Sequence, residues 1–251
     1  MQELVTYELR DKIALIGLNR ADKRNAINDE MVRQLRVAVL RAADEAHVGV
    51  LFGHGNNFSS GLDLAEALAK ASAGPPRQRK RVRHNWHEVF DQIARGPIPF
   101  VAALHGPVVG GGLELALAAH VRVADESAFF GLPEGQRGIF VGGGGSVRAP
   151  KLIGTHRMLD MMLTGRVYKA AEAVPVGFAQ YLVPPGQALA KAMELAQRIS
   201  TNAPMTNYAL IQALPRITEI PADHGLLMES LMASVVETAP EAQARVQEFL
   251  D

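Results

Sequence analysis

Residues 108–120 read VVGGGLELALAAH, where Gly110, Gly111 and Gly112 run into an apolar segment carrying one carboxylate, Glu114. Glycines between a strand and a helix let a ligand approach the backbone closely. The first N–H groups of the helix have no intrahelical partner and point outward. Such a helix start favours negative charge: a phosphate, or an oxyanion that exists only during a reaction. Tight strand–helix packing is the competing reading of the glycines. A second stretch, FSSGLDL at 58–64, also sits where a loop enters a helix. Gly61 permits an unusual backbone conformation there, and Leu62 then offers its N–H; the alternative is an ordinary helix start capped by Ser59 or Ser60. One donor makes a weak site. Two donors from distant loops, Leu62 and Gly111, converging on one carbonyl oxygen make an oxyanion hole. The third stretch is FGLPEGQRG at 130–138, with Glu134 after a proline and between glycines. A lone acid of this kind is commonly a first-turn surface residue, and Glu114 alone is as readily explained by a buried arginine partner.

Phosphate-binding signatures are absent. No Gly-Lys-Ser or Gly-Lys-Thr follows a glycine run, and G-x-G-x-x-G fails at both glycine clusters because position 115 is Leu and position 148 is Arg. A nicotinamide-dependent dehydrogenase therefore lacks its fingerprint. The histidines show no metal-ligand spacing, and Trp86 reads as a core residue of its helix.

Totals narrow the classes further. Lys plus Arg and Asp plus Glu each number 26, so the formal charge is zero and nucleic acid is not an expected partner. The basic run at 77–84, with Arg77, Arg79, Lys80, Arg81 and Arg83, reads as a solvated loop. There are no cysteines, which excludes disulfides and thiolate metal sites. Residues 96–113 carry no charge, but Pro97, Pro99, Pro107 and the three glycines argue for strand, turn and helix start instead of a membrane span. MQELVTYELR lacks a signal-peptide pattern, so a cytoplasmic location is expected.

These residues need a scaffold of strands and helices to bring them together. LVTYEL and KIALIGLN read as strands joined at Arg10-Asp11. Residues 28–45 read as an amphipathic helix capped by Asn28, with Met31, Leu35, Val39 and Ala42 on one face. VGVLFG, PFVAALHG and VRVAD read as further strands, with helices expected at 62–69 and 82–95, a mobile loop at 73–80, and a helix from the glycines at 110. The alternation predicts an α/β fold with parallel strands. From about residue 150 the patterns are helical, with no clear strand. The expected division is an α/β core at 1–195 carrying the site and a helical region at 196–251. Met158, Met161, Met162, Leu226, Leu227 and Leu231 are candidates for contact between subunits.

Taken in order, FSSGLDL and ALHGPVVGGGLELALAAHVRVADESAFFGLPEGQRG resemble the enoyl-CoA hydratase/isomerase, or crotonase, superfamily. LNRADKRNAIN resembles the family's Asn-Arg-x-x-x-x-Asn-Ala turn, and MLTGRVYKAAEAVPVGFAQYLV its later Thr-Gly segment, so the resemblance spans nearly the whole chain. It implies a repeated ββα core wound as a spiral, with a C-terminal helical region used in forming trimers, or dimers of trimers. It implies that the N–H groups of Leu62 and Gly111 hold a thioester oxygen and stabilise an enolate. Glu114 and Glu134 fall at the positions of the two hydratase glutamates. Glu114 would hold and activate water, and Glu134 would move the proton at the α-carbon. The apolar neighbours of Glu114 predict a poorly solvated carboxyl primed for proton transfer. Lys23, Arg24, Ala26, Ser60 and Leu64 occupy the coenzyme A positions. Coenzyme A enters as part of the substrate, and no metal or redox cofactor is implied. The implied activity is hydration of a 2,3-enoyl-CoA. The alternatives are a double-bond isomerase, an aromatic acyl-CoA hydratase-lyase, and, in a different class, a non-catalytic subunit that binds CoA thioesters. Gln136, Arg137, Val141, Ser146 and Val147 depart from the usual hydratase pattern and predict a reshaped acyl pocket.

Overall fold

The computed structural model describes residues 2–73 and 76–250. β1 (Val5–Arg10) and β2 (Ile13–Leu18) pair antiparallel from Val5↔Leu18 to Arg10↔Ile13. Asp11 makes the tight turn between them at φ 51. β2 is buried along its whole length and pairs parallel with β3 (Val48–Gly53), which pairs with β4 (Phe100–Leu104). β6 (Val121–Asp125) and β9 (Tyr181–Val183) continue the parallel series, giving the order β1-β2-β3-β4-β6-β9. Near-continuous apolar strands of this kind need cover on both faces. On one face, α1 (Asp29–Glu45) buries Met31, Leu35, Val39 and Ala42 against Ile16 and Leu18, and the Asn28 side chain caps it by accepting from the Met31 N–H at 2.9 Å. On the other face, α8 (Ala188–Ser200) lays Ala188, Ala192 and Leu195 over Ile13, Leu15, Val50 and Val101. Each large aliphatic side chain fully buried here contributes about 1.5–3 kcal/mol.

A second, three-stranded sheet leads into the glycine run at 110–112: β5 (Pro107–Val109) parallel to β7 (Phe129–Gly131), which is antiparallel to β8 (Val167–Lys169). β8 and β9 lie in the stretch expected to be purely helical. At three residues each they are too short to show a period of two. α2 (Leu64–Ala73) is followed by α3 (Pro76–Arg95), so helix starts where a mobile loop was expected at 73–80. Pro76 at the first helical position fits that start. Residues 74 and 75, and the side chains of the basic run at 77–83, lie outside the described residues.

α4 (Gly111–Ala116) follows β5 directly. α5 (Gly145–Ile153), α6 (Thr155–Thr164) and α7 (Ala170–Val176) lead to β9 and α8. The division expected at 195–196 falls inside α8, which ends at Ser200; the helices that leave the sheet are α9 (Pro204–Ile217), α10 (Ala222–Glu237) and α11 (Pro240–Leu250). Met158, Met161 and Met162 are buried within the chain, so they are core and not contact residues, whereas Leu226, Leu227 and Leu231 of α10 are each at least 60% exposed. Among the described residues no helix is long and apolar enough to cross a membrane.

Candidate active site

The loop at 58–63 is held open by hydrogen bonds that leave one N–H free to face the site. Ile27 N–H donates to Gly61 O at 2.7 Å and Asp63 N–H donates to Ile27 O at 2.9 Å. That bridge uses the groups on either side of Leu62, so the Leu62 N–H points to the opposite edge. Gly61, at φ +86, makes the turn. A Cβ on Gly61 would lie 2.5 Å from Val109 O and 3.0 Å from Gly111 N, and one on Gly111 would lie 3.5 Å from Leu62 N. The two loops therefore meet, and only glycine permits the approach. Gly112 is constrained in the same way, since its Cβ would fall 2.7 Å from Ser59. Gly110, at φ 54, turns β5 into α4 and so sets the first turn of the helix beside Leu62.

Buried groups behind this loop set its shape. The Ser59 hydroxyl donates to Asn25 O at 2.8 Å and accepts from Gly61 N–H at 3.1 Å. Asn25, itself at φ 52, donates from Nδ2 to His54 O at 3.0 Å and Asn57 O at 2.7 Å, and its Oδ1 accepts from Arg20 N–H at 2.8 Å. Asn25 and Ser59 are fully buried. Sequence reasoning had Ser59 only as a helix cap and Asn25 only as part of a motif.

Glu134 and Glu114 are 5% and 3% exposed and differ sharply in surroundings. Glu134 precedes the short 3-10 helix Gly135–Arg137. One carboxyl oxygen, Oε1, is 3.0 Å from where a Cβ on Gly110 would stand; the other, Oε2, is buried with no hydrogen-bond partner. Burial pushes this carboxyl up from 4.5 to about 7; the charge of Glu114 adds to the rise and Arg137 opposes it. The two acids meet at Gly110, which stands beside Glu134 Oε1 and whose carbonyl accepts the Glu114 N–H at 2.9 Å. Glu114, at the start of α4, is not the poorly solvated acid that its apolar flanks predict. Its Oε1 accepts from Gly143 N–H at 2.7 Å and Gly145 N–H at 2.8 Å, while Oε2 has only a long contact of 3.4 Å from Gly142 N–H. Backbone from residues 142–145, distant in sequence, supplies the solvation that Leu113 and Leu115 cannot. Oε2 keeps acceptor capacity for another donor.

Ser60, Leu62, Leu64, Gly111, Glu134 and Arg137 line one cleft, and Glu114 is not among its lining residues. Ser60 and Leu64 of the expected coenzyme A set are thus on the cleft wall. Lys23, Arg24 and Ala26 are not; they lie on the adjoining turn, tied to the wall by the Ser60 N–H donating to Arg24 O at 3.0 Å. Arg137 is exposed at the cleft, whereas Gln136 is turned away and donates to Thr164 O at 3.0 Å. Trp86, 6% exposed, is core as expected, yet its ring lies 2.5 Å from where a Cβ on Gly111 would stand, so it packs directly against the site. A larger cleft of about 490 Å³ opens near the ends of β3 and β4 beside Asp125. There Asp125 is already satisfied by Ser127 and the Gly186 N–H, and no second acid joins it.

The relatives of the chain are of one kind. The family described as enoyl-CoA hydratase/isomerase matches residues 8–251. Enoyl-CoA hydratase EchA19 of Mycobacterium tuberculosis is 31% identical over 249 residues, covering 97% of this chain and 92% of that protein. A crystal structure from Rhodopseudomonas palustris CGA009, of a protein named provisionally as an enoyl-CoA hydratase, is 49% identical with a TM-score of 0.92, covering 99% of this chain and 95% of that one. The enoyl-CoA hydratase structure from Thermoplasma volcanium GSS1 is 30% identical with a TM-score of 0.90, covering 98% and 97%. The chain belongs to the enoyl-CoA hydratase/isomerase family.

Proposed function

We propose that this protein adds water across the 2,3 double bond of an enoyl-CoA thioester, with Glu114 and Glu134 as the working acids. The observation that carries the reading is the convergence of Leu62 and Gly111 at a cleft that also holds Glu134, a buried carboxyl pushed up to about 7. The thioester oxygen would accept hydrogen bonds from the Leu62 and Gly111 N–H groups. Polarisation of that carbonyl makes the β-carbon electrophilic, and the charge that arrives on oxygen as the enolate forms is met by donors already in place. One such donor is worth about 2.7–4 kcal/mol of barrier. Glu114, through Oε2, would orient a water and take its proton as the oxygen bonds the β-carbon. Glu134, protonated, would give a proton to the α-carbon as the enolate collapses. A carboxyl near 7 is matched to that exchange at neutral pH.

Coenzyme A belongs to the substrate in this reading. Lys23 and Arg24 would face its phosphates with charge-assisted bonds, and Ala26, Ser60 and Leu64 would line its path to the cleft. Arg137 adds a cation where the acyl group enters, which favours an acyl chain with polar character over a purely aliphatic one. Assembly as a trimer, or a dimer of trimers, through the exposed leucines of α10 is part of the same reading, and light scattering that returned a monomer would remove it.

A panel of enoyl-CoA thioesters, aliphatic and aromatic, tests the activity. The wild type should give the 3-hydroxyacyl-CoA, and Glu114→Gln and Glu134→Gln should each lose most of that turnover. Retention of full activity by both variants would overturn the roles. A shifted double bond with no added water would make the protein an isomerase, release of an aldehyde would make it a hydratase-lyase, and tight binding without turnover would make it a binding subunit.

A further inference from the structure

Glu114 is held by backbone, and that backbone is four consecutive glycines, residues 142–145, the freest conformational sequence a chain can have. Nevertheless the N–H groups of Gly143 and Gly145 converge on one carboxylate oxygen at 2.7 and 2.8 Å. Something must fix the loop, and the side chain that does so is Arg148, in the first turn of α5. Its Nη1 donates to Gly143 O at 2.9 Å, the carbonyl of the same residue whose N–H holds Glu114. Its Nη2 pairs with Asp91 of α3. The Arg148 side chain is 14% exposed, and burial lowers its affinity for a proton, an effect that Asp91 offsets in part. The guanidinium lies across Gly144, where φ is +95 and a Cβ would stand 2.3 Å from Nη1. Phe90, adjacent to Asp91, fills the space beside Gly143, where a Cβ would be 2.7 Å from its ring.

One helix thus braces both halves of the site. Trp86 of α3 packs against Gly111, Phe90 against Gly143, and Asp91 holds the arginine that clamps the glycine loop. A buried guanidinium is costly unless its donors are met. Here Nη1 is met by a loop carbonyl and Nη2 by a carboxylate on a different element, a link that also ties α5 to α3. Lysine cannot reproduce it, because the planar fork reaches both acceptors at fixed geometry and an ammonium is a single point.

We infer that Arg148, anchored by Asp91, is a positioning residue for Glu114: it fixes the Gly143 peptide so that the loop's N–H groups hold the carboxylate where water is activated. The kinetic consequence rests on the role proposed for Glu114, whereas the structural consequence does not.

Two readouts separate them, in the full-length protein. The first is amide hydrogen exchange of residues 142–146 in the wild type, Arg148→Gln, Arg148→Lys and Asp91→Asn. Arg148→Gln should speed exchange of that segment at least tenfold and leave β4 and α1 unchanged; Arg148→Lys should recover only part of the protection. The second readout is turnover on the best thioester found. Arg148→Gln should lower kcat of order 10²-fold, the scale of an ångström of misplacement at a reacting group, with KM changed less than threefold. In a Glu114→Gln background the same substitution should add almost nothing, because the group it positions is gone. An equal fall in both backgrounds would mean a merely structural arginine and would overturn the inference. Unaltered exchange at 142–146 would also overturn it. If Arg148→Gln does not fold, Asp91→Asn decides, since that side chain is half exposed: it should show faster exchange and roughly a tenfold lower kcat, and a variant identical to wild type in both would overturn the inference. A wild type inactive on every thioester would refute the hydratase reading and leave the exchange result to judge the clamp.

Discussion

Glu134 makes a prediction about stability that opposes the one about activity. Its carboxyl stands near 7 in the folded protein against 4.5 when free, with burial as the leading cause. A folded-state value above the unfolded one means the protonated acid is the form the fold accepts. Its contribution is therefore fully present below about pH 4.5 and is lost as pH rises through about 7. The move from 4.5 to about 7 corresponds to about 3 kcal/mol. Glu134→Gln replaces the acid by a neutral group of the same shape, so it should be the more stable protein at alkaline pH. The difference from wild type should be about 1 kcal/mol at about pH 5, grow most steeply between about pH 5 and 7, and level off near about 3 kcal/mol by about pH 8. Urea unfolding of both proteins across that range, at one protein concentration, measures it. Carboxylates held low by partners, such as Glu30 and Asp63, titrate below this window and cancel in the comparison. A difference that stays flat with pH, or Glu134→Gln being the less stable at about pH 8, would refute the view that Oε2 is buried without a partner.

Two further substitutions probe the site from other sides. Gly61→Ala puts a methyl 2.5 Å from Val109 O at a φ of +86, so it should force the two loops apart; enoyl-CoA turnover should fall at least as far as for loss of one oxyanion donor, of order 10²-fold, and a variant with normal turnover would refute the role of that contact. Arg137→Gln removes the charge that holds the Glu134 carboxyl down, so the limb of the pH–rate profile that reports Glu134 should move to higher pH, and a shift to lower pH would show that Arg137 does not face this acid.

How much of this was legible in the sequence depended on how local each feature is. The strands VGVLFG and VRVAD and the helix capped by Asn28 follow from periodicity and one capping residue, all within a few positions. β8 and β9 were not legible, because three-residue strands exist only through their partners. At the site, Gly61 and Gly111 announce themselves as glycines at loop–helix junctions, and Glu134 as an acid between a proline and a glycine. The surroundings of Glu114 could not be read from its neighbours in the chain, since its solvation comes from Gly143 and Gly145, 29 and 31 residues away. VGGGGSVR was legible as a glycine run, but its function as a carboxylate cradle clamped by Arg148 needed the contact with α3. Ser59 and Asn25 were invisible for the same reason: the Ser59 bond to Asn25 O spans 34 residues, and the Asn25 bonds to His54 O and Asn57 O span 29 and 32.

The central claim is that two amide hydrogens meet on one thioester oxygen. A crystal structure with a bound 3-ketoacyl-CoA, an unreactive relative of the product, measures it most directly. The thioester oxygen should lie about 2.7–3.1 Å from the backbone nitrogens of both Leu62 and Gly111, with the acyl carbons between Glu114 and Glu134. A thioester bound elsewhere, or held by one of the two nitrogens with the other beyond hydrogen-bond reach, would contradict the account.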